Sequence, residues 1–95
     1  MNAQEEQHRG QRAQLLLQDE ILTGALDAIE AEVIAQWELC PARDAEGKEA
    51  LWQLYKTSKK FRNLLVGYVE TGKLATEQLK RFEESRGLRR LFKAA

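Results

Sequence analysis

Apolar side chains recur at helical spacing through the first half of the chain. Within residues 13–40 they follow one another at intervals of seven, four, three, four and four. This period matches one face of an α-helix, so a first helix is predicted over residues 13–40. Pro41 ends it, because the residue before a proline is disfavoured in the α region. The residues that set this face are Leu15, Leu22, Leu26, Ile29, Val33 and Trp37.

A second apolar face follows the short turn after Pro41. Its residues alternate at intervals of three and four, which is typical of a coiled-coil seam and predicts a second helix over residues 44–71. Asp44 is suited to cap the start of this helix, and Gly72 is suited to end it in the left-handed conformation. A turn this short makes the two helices antiparallel neighbours. The seam residues are Leu51, Leu54, Ser58, Phe61, Leu65 and Tyr68.

The two ends of the chain carry weaker patterns. Residues 1–12 are polar and include Gly10, which predicts a frayed N-terminus. A short third helix is predicted over residues 74–86, and Gly87 separates it from a basic tail over residues 87–95. Residues 1–95 are therefore expected to form one all-α domain, a long antiparallel helical hairpin with a short third helix and a basic C-terminal tail.

Folding the chain at the turn brings large apolar side chains of the two helices to the same positions along the hairpin axis. Trp37 is placed near Trp52, Ile29 near Phe61 and Leu22 near Tyr68. The first helix also has a second apolar set that is too wide for one partner: Leu16, Ile21, Ala25, Ala28, Ile34 and Ala35. We therefore expect a homo-oligomer, or a subunit of a larger protein assembly. The predicted hairpin core and interface residues are Leu22, Ile29, Val33, Trp37, Trp52, Phe61, Leu65 and Tyr68.

The charge of the chain is zero overall but divided by segment. The 95 residues hold 15 basic and 15 acidic side chains. Residues 13–42 contain six acids and no Lys or Arg, whereas residues 43–95 contain 13 basic and seven acidic residues. Opposite charges on two helices that lie side by side favour their pairing, within one chain or between chains.

Nucleic-acid binding is the alternative function. Lys56, Lys59, Lys60 and Arg62 flank Phe61, and a small helical-bundle dimer could contact phosphates through them and the tail. The isoelectric point near 6.6 is far below the value above about 9 that is typical of a dedicated nucleic-acid-binding domain. Pairing with the acidic first helix would also neutralise part of this basic charge.

The basic tail is amphipathic and is the candidate for docking on a partner protein. It could lie as a helix in the groove of another protein, pack on the third helix of its own chain, or contact a membrane surface or nucleic acid. The docking residues are Leu88, Arg89, Arg90, Leu91, Phe92 and Lys93.

No pattern of residues predicts catalysis, a cofactor or a metal site. Cys40 is the only cysteine and His8 the only histidine, which excludes an internal disulfide and a cysteine-built zinc site. Residues 67–73 match the phosphate-loop spacing, but Leu74 replaces the required Ser or Thr and the segment is predicted to be helical. The chain also has no signal-peptide pattern and no apolar run of about 20 residues, so neither secretion nor a membrane partner is expected.

Residues 37–52, WELCPARDAEGKEALW, and residues 70–75, ETGKLA, carry a resemblance. Over residues 13–76 the chain resembles small uncharacterised helical proteins of tailed bacteriophages and prophages. The resemblance implies a non-enzymatic virion or assembly component in the bacterial host cytoplasm and in the virion, and it transfers no catalytic motif. A regulator of a host protein is a third possibility, which the sequence does not separate from these.

Overall fold

The protein is a rod built from three α-helices. The computed structural model describes the backbone of residues 1–94 and the side chains of residues 1–88. Helix α1 spans Ala3–Leu17, α2 spans Glu20–Leu39 and α3 spans Ala45–Ala94, with no strand among residues 1–94. The molecule measures 79 × 25 × 16 Å, and most of this length is α3, since 50 residues at 1.5 Å each extend about 75 Å.

Helices α1 and α2 both run antiparallel to α3 and pack on different stretches of it. Gln7 of α1 donates a hydrogen bond from Nε2 to Thr76 Oγ1 at 3.0 Å, whereas Arg62 of α3 bonds to Asp27 of α2. The all-α class and the antiparallel hairpin with a third helix are thus confirmed. The hairpin is formed by α2 and the first part of α3, and the third helix is α1, at the N-terminal end.

The predicted frayed N-terminus over residues 1–12 is wrong. Asn2 caps α1, because its Oδ1 accepts a hydrogen bond from the Glu5 N–H at 2.8 Å. The first turn of α1 also contains Glu5 and Glu6, which favour the positive end of the helix dipole. The sequence hides this helix because its packed face is made of the small residues Gly10 and Ala13 rather than of large apolar ones.

The predicted first helix over residues 13–40 is divided at Gln18 and Asp19. Asp19 has an extended backbone, with φ −75° and ψ 115°, and caps α2. Its Oδ1 accepts hydrogen bonds from the Ile21 and Leu22 N–H groups at 2.9 and 3.1 Å. A short acidic side chain that bonds its own backbone competes with helix continuation, and here it restarts the helix.

The predicted boundary between helices over residues 44–71 and 74–86 is also wrong, because α3 is continuous through Gly72 and Gly87. No glycine of the described chain has a positive φ, so Gly72 is not a left-handed cap. Its lack of a side chain serves the approach of α1 instead: a Cβ built on Gly72 would lie 2.9 Å from the Gly10 Cα. The predicted tail over residues 87–95 continues the same helix as far as Ala94.

Two different contacts hold the rod together. The first, called here the glycine–alanine contact, joins Gly10 and Ala13 of α1 to Gly72 and Ala75 of α3, and all four residues are buried. The second is the hairpin between α2 and α3. Its buried residues are Leu26, Val33 and Ser58, and Leu65 is buried where the end of α1 lies against α3.

Candidate functional site

The hairpin leaves large apolar side chains exposed along both of its long edges. One edge, near the turn, forms a cleft between α2 and α3 with a volume of about 440 Å³. We call it the aromatic cleft. Its lining residues are Val33, Ile34, Trp37, Glu38, Leu51, Trp52 and Tyr55.

Both tryptophans of the chain line the aromatic cleft and remain half-exposed. Trp37 keeps 42% and Trp52 47% of its surface accessible to solvent. Trp52 stacks on Tyr55, with 5.9 Å between the ring centroids and 16° between the ring planes. The i, i+3 spacing on α3 places these two rings side by side. Folding at the turn brings Trp37 of α2 to the same cleft.

Lysine ammonium groups surround the aromatic rings of the cleft. Lys48 Nζ lies 4.3 Å from the centroid of the Trp37 ring, and Lys56 Nζ lies 5.7 Å from that of Trp52. Lys59 Nζ lies 5.4 Å from the centroid of the Tyr55 ring. These cation–π contacts give the cleft an apolar floor with a positive rim.

A second apolar surface, called here the open seam, consists of Leu54, Phe61 and Leu64 on α3. About half of each side chain is exposed. Leu54 and Phe61 belong to the same three-and-four repeat as Leu65, which is buried beside the end of α1. Because α1 ends at Leu17, it covers the later part of this repeat and leaves the earlier part uncovered.

Helix α2 exposes the second apolar set that the sequence predicts for it. Ile21 retains 83% of its surface in contact with solvent, and Ile34 lies in the aromatic cleft. Ala25, Ala28 and Ala35 of α2 are exposed as well, and Leu16, the remaining member of the set, is exposed on α1.

The eight predicted core and interface residues have different degrees of burial. Val33 and Leu65 are buried, and Leu22 and Tyr68 are half-buried. Tyr68 lies under Arg9 of α1, whose guanidinium carbon is 4.2 Å from the ring centroid. The sequence did not indicate this contact because residues 1–12 were expected to be frayed. The four that remain exposed are Ile29, Trp37, Trp52 and Phe61.

Two of the four basic residues proposed for phosphate contact are held in ion pairs with α2. Lys59 Nζ lies 3.3 Å from Glu30 Oε2. Arg62 Nη2 lies 2.9 Å from Asp27 Oδ1 and 3.4 Å from Glu30 Oε1. The acidic charge of α2 therefore neutralises part of the basic charge of α3. Lys56 and Lys60 make no ion pair with any side chain that the structure describes.

The C-terminal part of α3 extends beyond the start of α1. Every side chain from Lys80 to Leu88 is exposed, including Phe82. Leu88 is the first of the six predicted docking residues and is exposed. The side chains of Arg89, Arg90, Leu91, Phe92 and Lys93 lie outside the described residues.

The residues that could serve phosphate binding, thiol chemistry or metal binding do not come together in one site. The segment from Gly67 to Lys73 is helical, not a loop. Cys40 Sγ lies 3.8 Å from Asp44 Oδ2 at the turn, and His8 lies on α1. Across the part of the chain that the structure describes, no three His, Cys, Asp or Glu side chains converge as metal ligands would.

Within residues 1–94, none of the three helices combines the length and the apolar character that a bilayer crossing requires. Comparison of the chain with protein-family models, with curated proteins and with solved structures finds no match.

Proposed function

We propose that this protein is a non-enzymatic helical assembly protein, which associates with itself through the α2–α3 hairpin and docks on a larger protein assembly. The observation that supports this proposal is the exposure of large apolar side chains on both edges of the hairpin. Phe61 leaves 47% of its surface in contact with water, and Trp52 an equal share. An extended apolar surface of this kind is characteristic of protein interaction sites.

Association of two hairpins would remove this surface from water. A two-fold arrangement places the open seam of one copy against that of another and completes a four-helix bundle. Burial of apolar area contributes about 25 cal/mol per Å², so half-exposed Leu and Phe side chains gain substantially from a partner. Because α1 already occupies the later part of the seam, the two copies meet through its earlier part, around Leu54 and Phe61.

The proposed context is a phage particle or its assembly, in the bacterial host cytoplasm and in the virion. The resemblance over residues 37–52 and 70–75 supports this context. Within this proposal, the C-terminal end of α3 is the docking element, with Leu88 to Lys93 contacting the larger protein. The exposed face around Phe82 and Leu88 supports this role.

Size-exclusion chromatography with light scattering tests self-association. The wild-type chain is expected to elute as an oligomer at micromolar concentration, and Phe61→Glu is expected to lower its mass. Phe82→Glu is the matched control, because it makes the same change on α3 outside the hairpin and should leave the mass unchanged. A well-folded wild-type monomer at these concentrations would contradict the proposal.

Nucleic-acid binding by a helical-bundle dimer is the second candidate. Lys56 and Lys60 support it, since they surround a shallow depression with Tyr55, Lys59 and Asn63. Titration of DNA and RNA at several salt concentrations separates the two functions. Submicromolar binding that weakens steeply with salt would favour this candidate, because phosphate contacts release counterions. Lack of binding at about 50 mM salt would remove it.

A further inference from the structure

We propose that the aromatic cleft of one copy receives Ile21 of a second copy, so that the chains associate head to tail. This inference rests on the proposed function in assembly and adds a second contact between copies, distinct from the two-fold contact through the open seam. The cleft has a nearly complete apolar lining, in which Glu38 is the only charged residue. Its volume of about 440 Å³ accommodates an apolar side chain together with part of the helix turn that carries it.

The rim of the cleft selects an apolar residue with acidic neighbours. Lys48 and Lys56 lie over the two tryptophan rings and make no ion pair with a described side chain. A partner with carboxylates beside its apolar residue would place negative charge against these ammonium groups. Complementary charge of this kind speeds encounter and fixes the register of an interface.

The chain itself presents such a residue at the junction of α1 and α2. Ile21 is the most exposed large apolar side chain among the described residues, at 83%. Asp19 and Glu20 precede it, and both are exposed. The break in the helix at Asp19 fixes the position of Ile21, because Asp19 Oδ1 accepts a hydrogen bond from the Ile21 N–H. Ile21 also lies within the 30 residues that carry acids and no Lys or Arg.

One chain cannot fill its own cleft with Ile21. Ile21 and Trp37 are both on α2, separated by 16 residues and therefore by about 24 Å along the helix axis. The residue and the cleft must therefore meet between copies. A contact that joins two different surfaces is heterologous and repeats, giving a ring if its rotation closes and a filament if it does not.

The arrangement of the rings disfavours a nucleic-acid base as the occupant. A base stacks on an open aromatic face, and here Lys48 lies over one face of Trp37 while Tyr55 is already paired with Trp52. An apolar protein segment with acidic neighbours suits both the apolar lining and the lysine rim of the cleft.

Tryptophan fluorescence reports on this contact directly, because both tryptophans of the chain lie in the cleft. The wild-type emission is expected to shift to shorter wavelength as the protein concentration rises. Ile21→Glu is expected to weaken this transition at least about tenfold, as truncation of a central interface residue does. Leu74→Glu is the control, since it places the same charge at an exposed position of α3 far from the cleft.

Mixing two variants tests the head-to-tail geometry. Both variants also carry Phe61→Glu, which removes association through the open seam. Ile21→Glu keeps an intact cleft and Trp52→Ala keeps an intact Ile21, so each alone is expected to be monomeric. Their equimolar mixture is expected to form a heterodimer that grows no further. Circular dichroism establishes that both variants are folded. Lys56→Glu should weaken the wild-type contact, and Lys73→Glu, at another exposed site of α3, should not.

Three outcomes would overturn this inference by itself, and a fourth would overturn the proposed function with it. The first is an Ile21→Glu variant that retains the wild-type fluorescence transition, and the second is a mixture that forms no heterodimer. In both cases, an oligomer that still depends on Phe61 would leave the proposed function in place, whereas a wild-type monomer at all concentrations would remove both proposals. The third is quenching of the wild-type fluorescence by a single-stranded oligonucleotide, which would assign the cleft to a base.

Discussion

The glycine–alanine contact and the hairpin pair the same helix, α3, with a partner in two opposite ways. In the glycine–alanine contact the two backbones nearly touch, and Ala75 keeps only 1% of its surface exposed. In the hairpin the side chains are large, yet several of them remain half in water. Small residues therefore complete an interface between only two helices, whereas large residues on two helices leave part of their apolar surface exposed to water.

The physical difference lies in the distance between the helix axes. Two glycines that face each other allow the backbones into van der Waals contact, and the dense packing between them leaves no gap for water. Bulky residues hold α2 and α3 further apart and project along both edges of the pair. The same chain thus contains one contact that is closed and one that leaves apolar surface exposed.

The largest loss of folding stability is expected from Gly72→Ala, which breaks the glycine–alanine contact. A Cβ at Gly72 would lie 2.9 Å from the Gly10 Cα and 3.2 Å from the Glu6 carbonyl oxygen. These are backbone atoms, so α1 must move away as a unit, at a cost of about 2–3 kcal/mol. Urea unfolding followed by circular dichroism measures this loss.

Gly67→Ala is the matched control on the same helix. Apart from the adjoining backbone of α3 itself, no atom lies within 4 Å of the position that its Cβ would take. Alanine is the better helix former, so this variant should gain about 0.5–1 kcal/mol. Equal behaviour of the two variants would show that α1 and α3 do not approach each other as closely as described.

Gly10 and Gly72 also show how much of the fold can be predicted from the sequence. The hairpin follows from large apolar residues at regular intervals and from Pro41, because periodicity and turn chemistry are local properties. The role of Gly10 and Gly72 depends on a contact between distant segments, and a lone glycine in sequence equally indicates a helix end. The cap at Asp19 is likewise ambiguous, since its neighbours on both sides are helix formers.

An intermediate loss of stability is expected at Asp19, which lies where α1 ends and α2 begins. Asp19→Ala removes the oxygen that accepts the Ile21 and Leu22 N–H groups and should destabilise α2 by about 1 kcal/mol. Asp19→Asn keeps an equivalent oxygen and should restore most of the stability. Thermal unfolding of the three proteins measures the order, and an alanine variant as stable as the asparagine variant would contradict the cap.

The smallest effect is expected at the ion pairs of the hairpin. Arg62→Gln removes the contacts with Asp27 and Glu30 and should cost about 0.5 kcal/mol, since partly exposed pairs contribute little. The loss should decrease in about 1 M salt, where charges are screened within a few ångströms. Arg81→Gln, at an exposed position without an ion pair among the described side chains, is the control. A loss that is unchanged by salt would assign the role of Arg62 to packing instead.

The continuity of α3 has a mechanical consequence. A single helix of 50 residues is a rigid spacer, here called the strut, between the aromatic cleft at one end of the rod and the exposed residues Phe82 and Leu88 near the other end. It fixes both the distance and the rotation between these two exposed surfaces. Inserting seven residues would lengthen the strut by about 10 Å and nearly preserve the angle, whereas inserting two would turn one end through about 200°. In an assembly, α3 would thus set the spacing and the phase with which neighbouring subunits are placed.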